Sequence, residues 1–384
     1  MKYHSLSLLL LAVSGSLLYP SIASAQAEAD YVSYASELAD VYSRLSELES
    51  QQNESAYQTS EKEDYWPSTA LLETDGRPGW LAQVDLLYWA VRNPATQYGI
   101  TDIGGVQDRG AVGDILSITP EYEAGYRIAF GKRLGHCVAG PEITFRFTDF
   151  DQQITERRIG SLRASFISSD NSENNDSDDA VNDITPDDRA TSATANYDFS
   201  YNAYDLEIAQ SLITTEHLTL RMGGTGRVMD LEQGFDVTYT GGDFQVPYRG
   251  FETSDYVGGG LLLGTELKWR VTNRLTLGMG AKAGAMFGTF DTRLFLPDDE
   301  PGVPTDVRSS ERRMSTVLEM NVGLNYRRPW RRFLLTGAAG YEMTQLLDFS
   351  DRRVFSDSHI EGQNSHLIGN VSLDGLYARA GVDF

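Results

Sequence analysis

VGGGLLLGTELKWR (residues 257–270), VTNR (271–274) and LTLGMGAKAGAMF (275–287) follow one another without a break. In the first stretch Val257, Leu261, Leu263, Leu267 and Trp269 share one parity, opposite Glu266, Lys268 and Arg270. In the second, Leu275, Leu277, Met279, Ala281 and Phe287 oppose Thr276 and Lys282. Period-two alternation of this kind predicts two strands, each with one apolar and one polar face. The four residues between them leave room only for a tight reversal. A long polar stretch follows, then another strand, the corner Arg328-Pro329-Trp330-Arg331, a further strand, and a last one that ends on the aromatic Phe384. Short turns at one end and long connections at the other are the pattern of an outer-membrane β-barrel.

The same alternation recurs upstream. Ala82, Val84, Leu86 and Tyr88 oppose Gln83 and Asp85. Tyr122, Ala124, Tyr126, Ile128 and Phe130 oppose Glu123 and Arg127, and Ile143, Phe145 and Phe147 oppose Glu142, Thr144 and Arg146. Tyr204, Leu206 and Ile208 oppose Asp205 and Glu207, and Leu218, Leu220, Met222 and Val228 oppose Arg221 and Arg227. Downstream, Leu318, Met320, Val322, Leu324 and Tyr326 oppose Glu319 and Asn321; Phe333, Leu335 and Tyr341 oppose Glu342; and Leu376 to Phe384 oppose Arg379 and Asp383. The expectation is an all-β, antiparallel up-and-down transmembrane barrel over residues 79–384, with about ten strands. A further hairpin inside 151–196 would make twelve. Short connections at 134–139, 213–217, 271–274 and 328–332 are expected in the periplasm. Long loops at 91–121, 151–196, 230–255, 290–313 and 346–372 are expected outside. A soluble sandwich also alternates, but without so regular a rhythm of long and short connections.

The N-terminus carries an export signal. Lys2 is followed by the apolar run Leu6 to Val13, too short to span a bilayer, and Ala23-Ser24-Ala25 is a cleavage site, so residues 1–25 read as a signal peptide. Within 26–66, Tyr34, Leu38, Val41, Leu45 and Leu48 fall at 4-3-4-3 spacing. That predicts a short periplasmic amphipathic helix with a coiled-coil-like seam, and then a polar linker. The net charge is −23, and no basic stripe exists to meet phosphates, which excludes nucleic acid as the partner. The single cysteine, Cys137, excludes an internal disulfide framework and a thiolate zinc site; no metal and no cofactor are expected.

Residue roles follow from the faces. Glu142, Arg146, Arg221, Arg227, Glu266, Lys268, Arg270, Lys282 and Glu319 are expected to face the lumen. There they form opposed charge ladders in a wet pore, or pair with each other and plug it. Ten strands lie nearer the side-chain-filled limit than the open one, so any pore is narrow. Tyr88, Trp89, Trp269, Tyr326 and Trp330 are expected as interface aromatics. The acidic loop Asp170 to Asp188 lacks the glycine and terminal glutamate of an EF-hand and reads as a solvated surface loop, or a weak divalent site toward lipopolysaccharide. His359 and His366, near Asp351, Asp357 and Ser365 in the last long loop, are the only basis for a rim-loop hydrolase. No enzyme is expected from them, because a triad needs geometry rather than proximity in sequence.

Five segments carry a resemblance: WLAQVDLLYWAVR (80–92), PEYEAGYRIAFGKRLG (120–135), ITFRFTDFD (143–151), ANYDFSYNAYDLEIAQ (195–210) and GLYARAGVDF (375–384). In their order they are similar to the pore-forming outer-membrane proteins related to the Legionella major outer membrane protein. The resemblance implies an outer-membrane barrel and a narrow, low-specificity pore, without naming the solute. The alternative is a closed barrel that anchors the envelope or presents surface loops. Tyr377, Val382 and Phe384 match the C-terminal signal read by the barrel-assembly machinery, with Arg379 in place of its usual glycine. Partners expected on this reading are outer-membrane lipid and lipopolysaccharide, that machinery, and a second copy of the chain.

Overall fold

The computed structural model describes residue 44 and residues 79–101, 113–134, 140–166, 189–215, 217–297, 304–330, 333–354 and 365–384. The chain divides into two units, Met1–Ser68 and Thr69–Phe384. Of the first only Arg44 is described, in helical backbone. The expected signal peptide, the helical seam, Cys137, the acidic loop 170–188 and His359 lie outside the described residues.

Twelve strands occur among the described residues: β1 Trp80–Arg92, β2 Gln97–Thr101, β3 Ile115–Ser117, β4 Tyr122–Arg133, β5 Glu142–Ala164, β6 Arg189–Thr214, β7 Leu218–Gly241, β8 Phe244–Arg270, β9 Leu275–Leu296, β10 Thr305–Trp330, β11 Phe333–Val354 and β12 Ser365–Asp383. Ten of them close a ring in which β1 pairs β4, β4 pairs β5, β5 pairs β6, and each later strand pairs the next up to β12. β12 returns to β1 along a register from Leu81↔Asp383 to Arg92↔Ser372. Beyond it, Trp80 N donates to Phe384 O at 2.7 Å and Phe384 N to Trp80 O at 2.9 Å, so the terminal residue completes the seam. A closed antiparallel ring leaves no edge and satisfies every backbone group where water is absent. Among the described residues no helix is long and apolar enough to cross a membrane.

Two expectations about the connections need correction. The extra hairpin is β2–β3, inside 91–121 rather than 151–196; it docks on the far end of β5 through Gly99↔Ala164 and Thr101↔Leu162. The stretches taken as long loops are largely strand. Residues 230–255 hold no long loop: β7 and β8 run on to a tight reversal where Gly241 and Gly242 take φ of 69° and 73°, left-handed values that only glycine adopts freely.

The second error comes from an inversion of phase along the strands. In the half near the short turns, outward positions are apolar and exposed, as at Leu206, Ile208, Leu261, Leu263, Val322 and Leu324. Toward the far end the alternation continues, but its apolar members point inward. Val228 is 56% exposed and its neighbour Met229 is 0%; after it Leu231, Phe235, Val237 and Tyr239 are all buried inside. Tyr256-Val257 on β8 and Met286-Phe287 on β9 make the same switch. The near half is a wall with an apolar outer band suited to lipid. The far half is a barrel whose interior is rich in buried apolar side chains, with buried polar ones such as Gln233, Glu252, Ser254 and Thr292 among them. About ten tilted residues cross the hydrocarbon, so strands of 22–27 residues extend well past it.

Aromatic side chains border the outer apolar band. Near the short turns Trp269, Tyr326 and Trp330 are exposed, Trp80 stacks on Phe130 at 5.0 Å, and Phe333 meets Phe384 edge-on at 6.4 Å. At the other border Tyr88 stacks on Tyr122 at 5.4 Å. Trp89 does not belong with them, contrary to the sequence expectation. It is 2% exposed and lies inside the ring against Phe150, because Tyr88 and Trp89 occupy opposite faces of β1. Just beyond the band an acidic row crosses the outer face, where Glu232, Asp255 and Asp291 stand directly opposite one another on β7, β8 and β9.

Candidate functional site

The lumen has two chambers. The one near the short turns is a cavity of about 270 Å³ lined by nine basic and seven acidic side chains. Its wall is kept thin by small inward residues such as Gly264, Gly278, Gly280 and Ala338. A Cβ at Gly264 would come 2.6 Å from the Lys282 stem, so glycine there is what lets the lysine lie along the wall.

The strand register builds the charge network. Arg227 on β7 is directly opposite Asp205 on β6, and Asp205 is directly opposite Arg146 on β5. Arg221 faces Glu266, Glu319 faces Lys282, and Asp85 has Arg127 on one side and Arg379 on the other. Opposite charges placed directly across two strands attract at short range. Arg227 donates from Nε to Asp205 Oδ1 at 2.6 Å and from Nη2 to Oδ2 at 2.8 Å, a bidentate fork, and also bonds Glu319. Arg221 reaches Glu207 at 2.8 Å, Glu142 at 3.0 Å and Glu266 at 3.5 Å. Lys268 holds Glu266 at 3.0 Å, and Lys282 holds Glu207 at 2.5 Å. Arg146 sits farther off, 3.9 Å from Asp205 and 3.8 Å from Glu207, with its buried Nε unbonded.

Eight of the nine residues assigned to the lumen from sequence therefore line this cavity: Glu142, Arg146, Arg221, Arg227, Glu266, Lys268, Lys282 and Glu319. Arg270 shares their parity but stands at the end of β8, outside the lining. Sequence reasoning left out Asp85, Arg127, Asp205, Glu207, Glu342 and Arg379. Arg127 pairs Asp85 at 3.2 Å and Glu342 at 3.1 Å, and Arg379 pairs Asp85 at 2.7 Å. The signal for them was the same alternation, which had already set each opposite an apolar face.

Above the charges the lumen is filled. Trp89 lies 5.5 Å from Phe150, and Tyr256, Phe290 and Phe349 form a cluster with centroids 4.5, 4.8 and 5.6 Å apart. Leu87, Met229, Leu231, Leu262 and Met286 complete a layer that is 2% exposed or less. Trp89 links the two chambers: its Nε1 donates to Glu342 at 3.1 Å, and Arg127 stacks on its ring at 5.4 Å. Tyr256 lies flat on Gly258 and Gly288, where a Cβ would collide with its ring or hydroxyl.

A strap crosses just beyond this layer. After β1 the chain turns inward, and Asn93 donates to Gln233 at 3.0 Å and to Tyr197 at 3.3 Å, while its Oδ1 accepts from Ser350 at 3.0 Å. Gln233 in turn donates to Phe349 O at 2.9 Å, and Arg352 donates to Ala95 O at 3.0 Å. One asparagine thus joins β6, β7 and β11 across the lumen. The bulge that makes this possible lies at Leu346/Ser350, where Asp348 takes φ of 65°. Three residues of β11, Leu347 to Phe349, stand opposite the single Asn370 of β12, and within this irregular stretch Phe349 turns inward. Of the candidate catalytic histidines, His366 is the register partner of Arg353 in the β11–β12 ladder, and His359 is not among the described residues.

Solved structures with a similar fold are outer-membrane proteins. The outer membrane protease OmpT of Escherichia coli is 12% identical, covering 85% of this chain and 99% of its own, with a TM-score of 0.34. A FadL homologue of Pseudomonas aeruginosa is 8% identical over 83% and 94% of the two chains, with a TM-score of 0.26. The toluene transporter TodX of P. putida is 9% identical over 82% and 91%, with a TM-score of 0.25. No curated protein matches the chain. The family described as Legionella pneumophila major outer membrane protein precursor matches residues 75–384, which takes in the whole closed ring from β1 to β12. A barrel with an outer apolar band, a charged near lumen and that family match is an outer-membrane protein, and the chain belongs to the Legionella major outer membrane protein family.

Proposed function

We propose that the barrel is a narrow, low-specificity pathway for small solutes or ions across the outer membrane, shut in the state described by the aromatic layer and the Asn93 strap. The observation that carries this reading is the near chamber. Its wall spends inward positions on Gly264, Gly278, Gly280 and Ala338 and keeps a cavity of about 270 Å³ amid fixed charges. A barrel built only for stability would fill that volume with side chains. Fixed charges around a water-filled constriction set ion preference, and membership of the family agrees with this reading.

The second reading is a closed barrel that anchors the envelope and presents its far half to the surroundings. It is favoured by the layer of Trp89, Phe150, Tyr256, Phe290 and Phe349, which leaves no exposed lumen surface at its level. Both readings are non-catalytic, and substitution of His359 and His366 is expected to leave every hydrolase assay unchanged. Lipopolysaccharide around the outer apolar band, the assembly machinery at Tyr377, Val382 and Phe384, and a second copy of the chain are the partners proposed.

Single-channel recording of the refolded mature protein in a planar bilayer tests the choice. Discrete, salt-dependent steps support the pathway. Silence from protein with folded electrophoretic mobility refutes passive conduction and leaves the closed barrel.

A further inference from the structure

Two apolar layers block the axis of the far half, and a polar ledge lies between them. The first is the layer of Trp89, Phe150, Tyr256, Phe290 and Phe349. The second, farther along the strands, holds Tyr98, Phe166, Tyr239, Phe244, Tyr248 and Leu296, each 5% exposed or less. Tyr239 stacks on Phe244 at 5.5 Å, and a Cβ at Gly250 would come 2.9 Å from Leu296 and 3.0 Å from Phe166, so this layer is full. Between the layers Gln233, Ser254 and Thr292 stand directly across from one another on β7, β8 and β9, all buried. The Ser254 hydroxyl has no hydrogen-bond partner.

Beside this ledge the wall is not closed by strand pairing. β1 ends at Arg92 and β4 begins at Tyr122, whereas β5 and β12 run on past them. Among the described residues, β12 from Ser365 to Val371 has β11 on one side and no strand on the other. The β2–β3 hairpin joins the β5 side through the short ladder from Gly99↔Ala164 to Thr101↔Leu162. The span toward β12 is bridged by residues 93–97. Asn93 holds one end of it, and Arg352 donates to Ala95 O at 3.0 Å and to Gln97 O at 3.4 Å. Pro94 lies against the free edge of β12, where a Cβ at Gly369 would be 3.9 Å from Pro94 Cγ.

We infer that small polar solutes that have passed the aromatic layer cross the wall sideways, between β12 and the β2–β3 hairpin, and that residues 93–97 are the bar of this side gate. The inference rests on the pathway reading and names its outer exit. An axial exit has to part a second packed aromatic layer after the first, and parting such a layer opens a cavity. The side exit has to free only a strap held by hydrogen bonds, which water or a polar solute can replace. The ledge of Gln233, Ser254 and Thr292 offers polar partners at the turn, so a solute leaving water is not stranded there without hydrogen bonds.

The test uses the full mature barrel carrying Cys137→Ser, so that introduced thiols are the only ones. Pro94→Cys and Gly369→Cys together staple the strap to β12 on oxidation; intact mass establishes the staple, and folded mobility on unheated gels establishes a closed barrel. In planar bilayers the stapled protein is expected to conduct at least tenfold less than the same protein after reduction, while each single variant conducts equally in both states. Equal conductance of stapled and reduced protein overturns the side gate and returns the exit to the axis. A second readout needs no conductance. The Ser254→Cys thiol is labelled with a small water-soluble maleimide in detergent. Asn93→Ala is expected to accelerate labelling at least tenfold, and Gly250→Leu, which overfills the second layer, to leave it unchanged. Labelling indifferent to Asn93→Ala, or slowed by Gly250→Leu, overturns the side gate. Silence of the reduced, folded barrel in bilayers overturns the pathway instead, and labelling then decides by itself whether the strap bars an opening to the ledge.

Discussion

Replacing Arg227 by methionine asks how far water penetrates the lumen. The Arg227 side chain is 4% exposed and that of Asp205 1%, and the fork between them closes at 2.6 and 2.8 Å. Methionine keeps much of the stem and removes all three charge-assisted bonds, those to Asp205 and the one to Glu319. Asp205 is then left with Arg146 at 3.9 Å. If the pair is dry, the loss is about 3–5 kcal/mol, because Arg146 at 3.9 Å and Lys282 across the ladder do not replace the hydrogen bonds that Arg227 made. If the chamber is hydrated to this depth, water screens the charges and the loss is about 1 kcal/mol or less, as for an exposed pair. The triple variant R227M/D205N/E319Q removes the stranded charges and is expected to recover most of the loss, since neutral amides bond each other at little net cost. Urea unfolding of the refolded barrel, followed by tryptophan fluorescence, measures all three. The burial argument is refuted if R227M unfolds with the wild-type midpoint and slope, or if the triple variant is no more stable than R227M.

Three further outcomes are expected. Asp255 faces Glu232 and Asp291 across the ladder beyond the outer apolar band, and burial first, then Glu232, Asp230 and Asp291, pushes its carboxyl above the usual 3.8. The folded state therefore binds this proton more readily than the unfolded one, so the repulsion is fully present above the raised value and is relieved as pH falls through it. Asp255→Asn should add ~0.2–1 kcal/mol at neutral pH and nothing once the pH is below 3.8; an equal gain at both pH values contradicts the assignment. Phe349→Ala removes a fully buried ring from the Tyr256–Phe290 cluster, and it should cost about 3–5 kcal/mol while raising bilayer conductance above the wild type; a destabilised but equally silent barrel would move the block elsewhere. Asn93→Ala removes the strap bonds to Gln233, Tyr197 and Ser350, at about 1 kcal/mol each, so hydrogen exchange of residues 93–101 should accelerate by roughly a hundredfold; unchanged protection would show that Arg352 and β2 hold the strap unaided.

Much of the ring was legible because period two survives from end to end. The near halves of all ten ring strands could be placed from lipid-facing residues such as Leu206, Leu263 and Val322, and the lumen charges fell on the opposite parity. What escaped notice was the change of phase. An observer seeking apolar residues that face lipid stops at Val228, because the next apolar residue, Met229, has the wrong parity, and the remainder of β7 then resembles a loop. Tyr88-Trp89 failed in the same way: two adjacent aromatics suggest one interface cluster, yet neighbours on a strand always face opposite sides. Adjacent apolar pairs on a strand otherwise alternating were the available signal, and Tyr256-Val257 and Met286-Phe287 repeat it. The strap had a weaker signal, an Asn-Pro step after β1, which marks a turn but not its direction. Nor could the β11 bulge be foreseen, since Asp348 has an ordinary side chain in an unusual conformation.

The inversion also determines where the lumen can be open. Within the bilayer the outer face must be apolar, so the alternate residues face inward and are polar; such an interior must be wet or ion-paired, and it can keep a cavity because the lipid supplies the apolar contact. Past the bilayer the outer face meets water. The apolar residues then have to turn inward, and in a ring of ten strands the two sides are close enough for their side chains to meet. Trp89, Phe150, Tyr256, Phe290 and Phe349 are inward residues close to that change. The barrier therefore sits where the barrel leaves the membrane, as a result of changing solvent rather than of a separate plug domain. It follows that the two chambers answer to different forces. Salt and charge reversal should alter the near chamber and leave the seal intact, whereas truncating an inward aromatic should weaken the seal and leave the ion pairs in register.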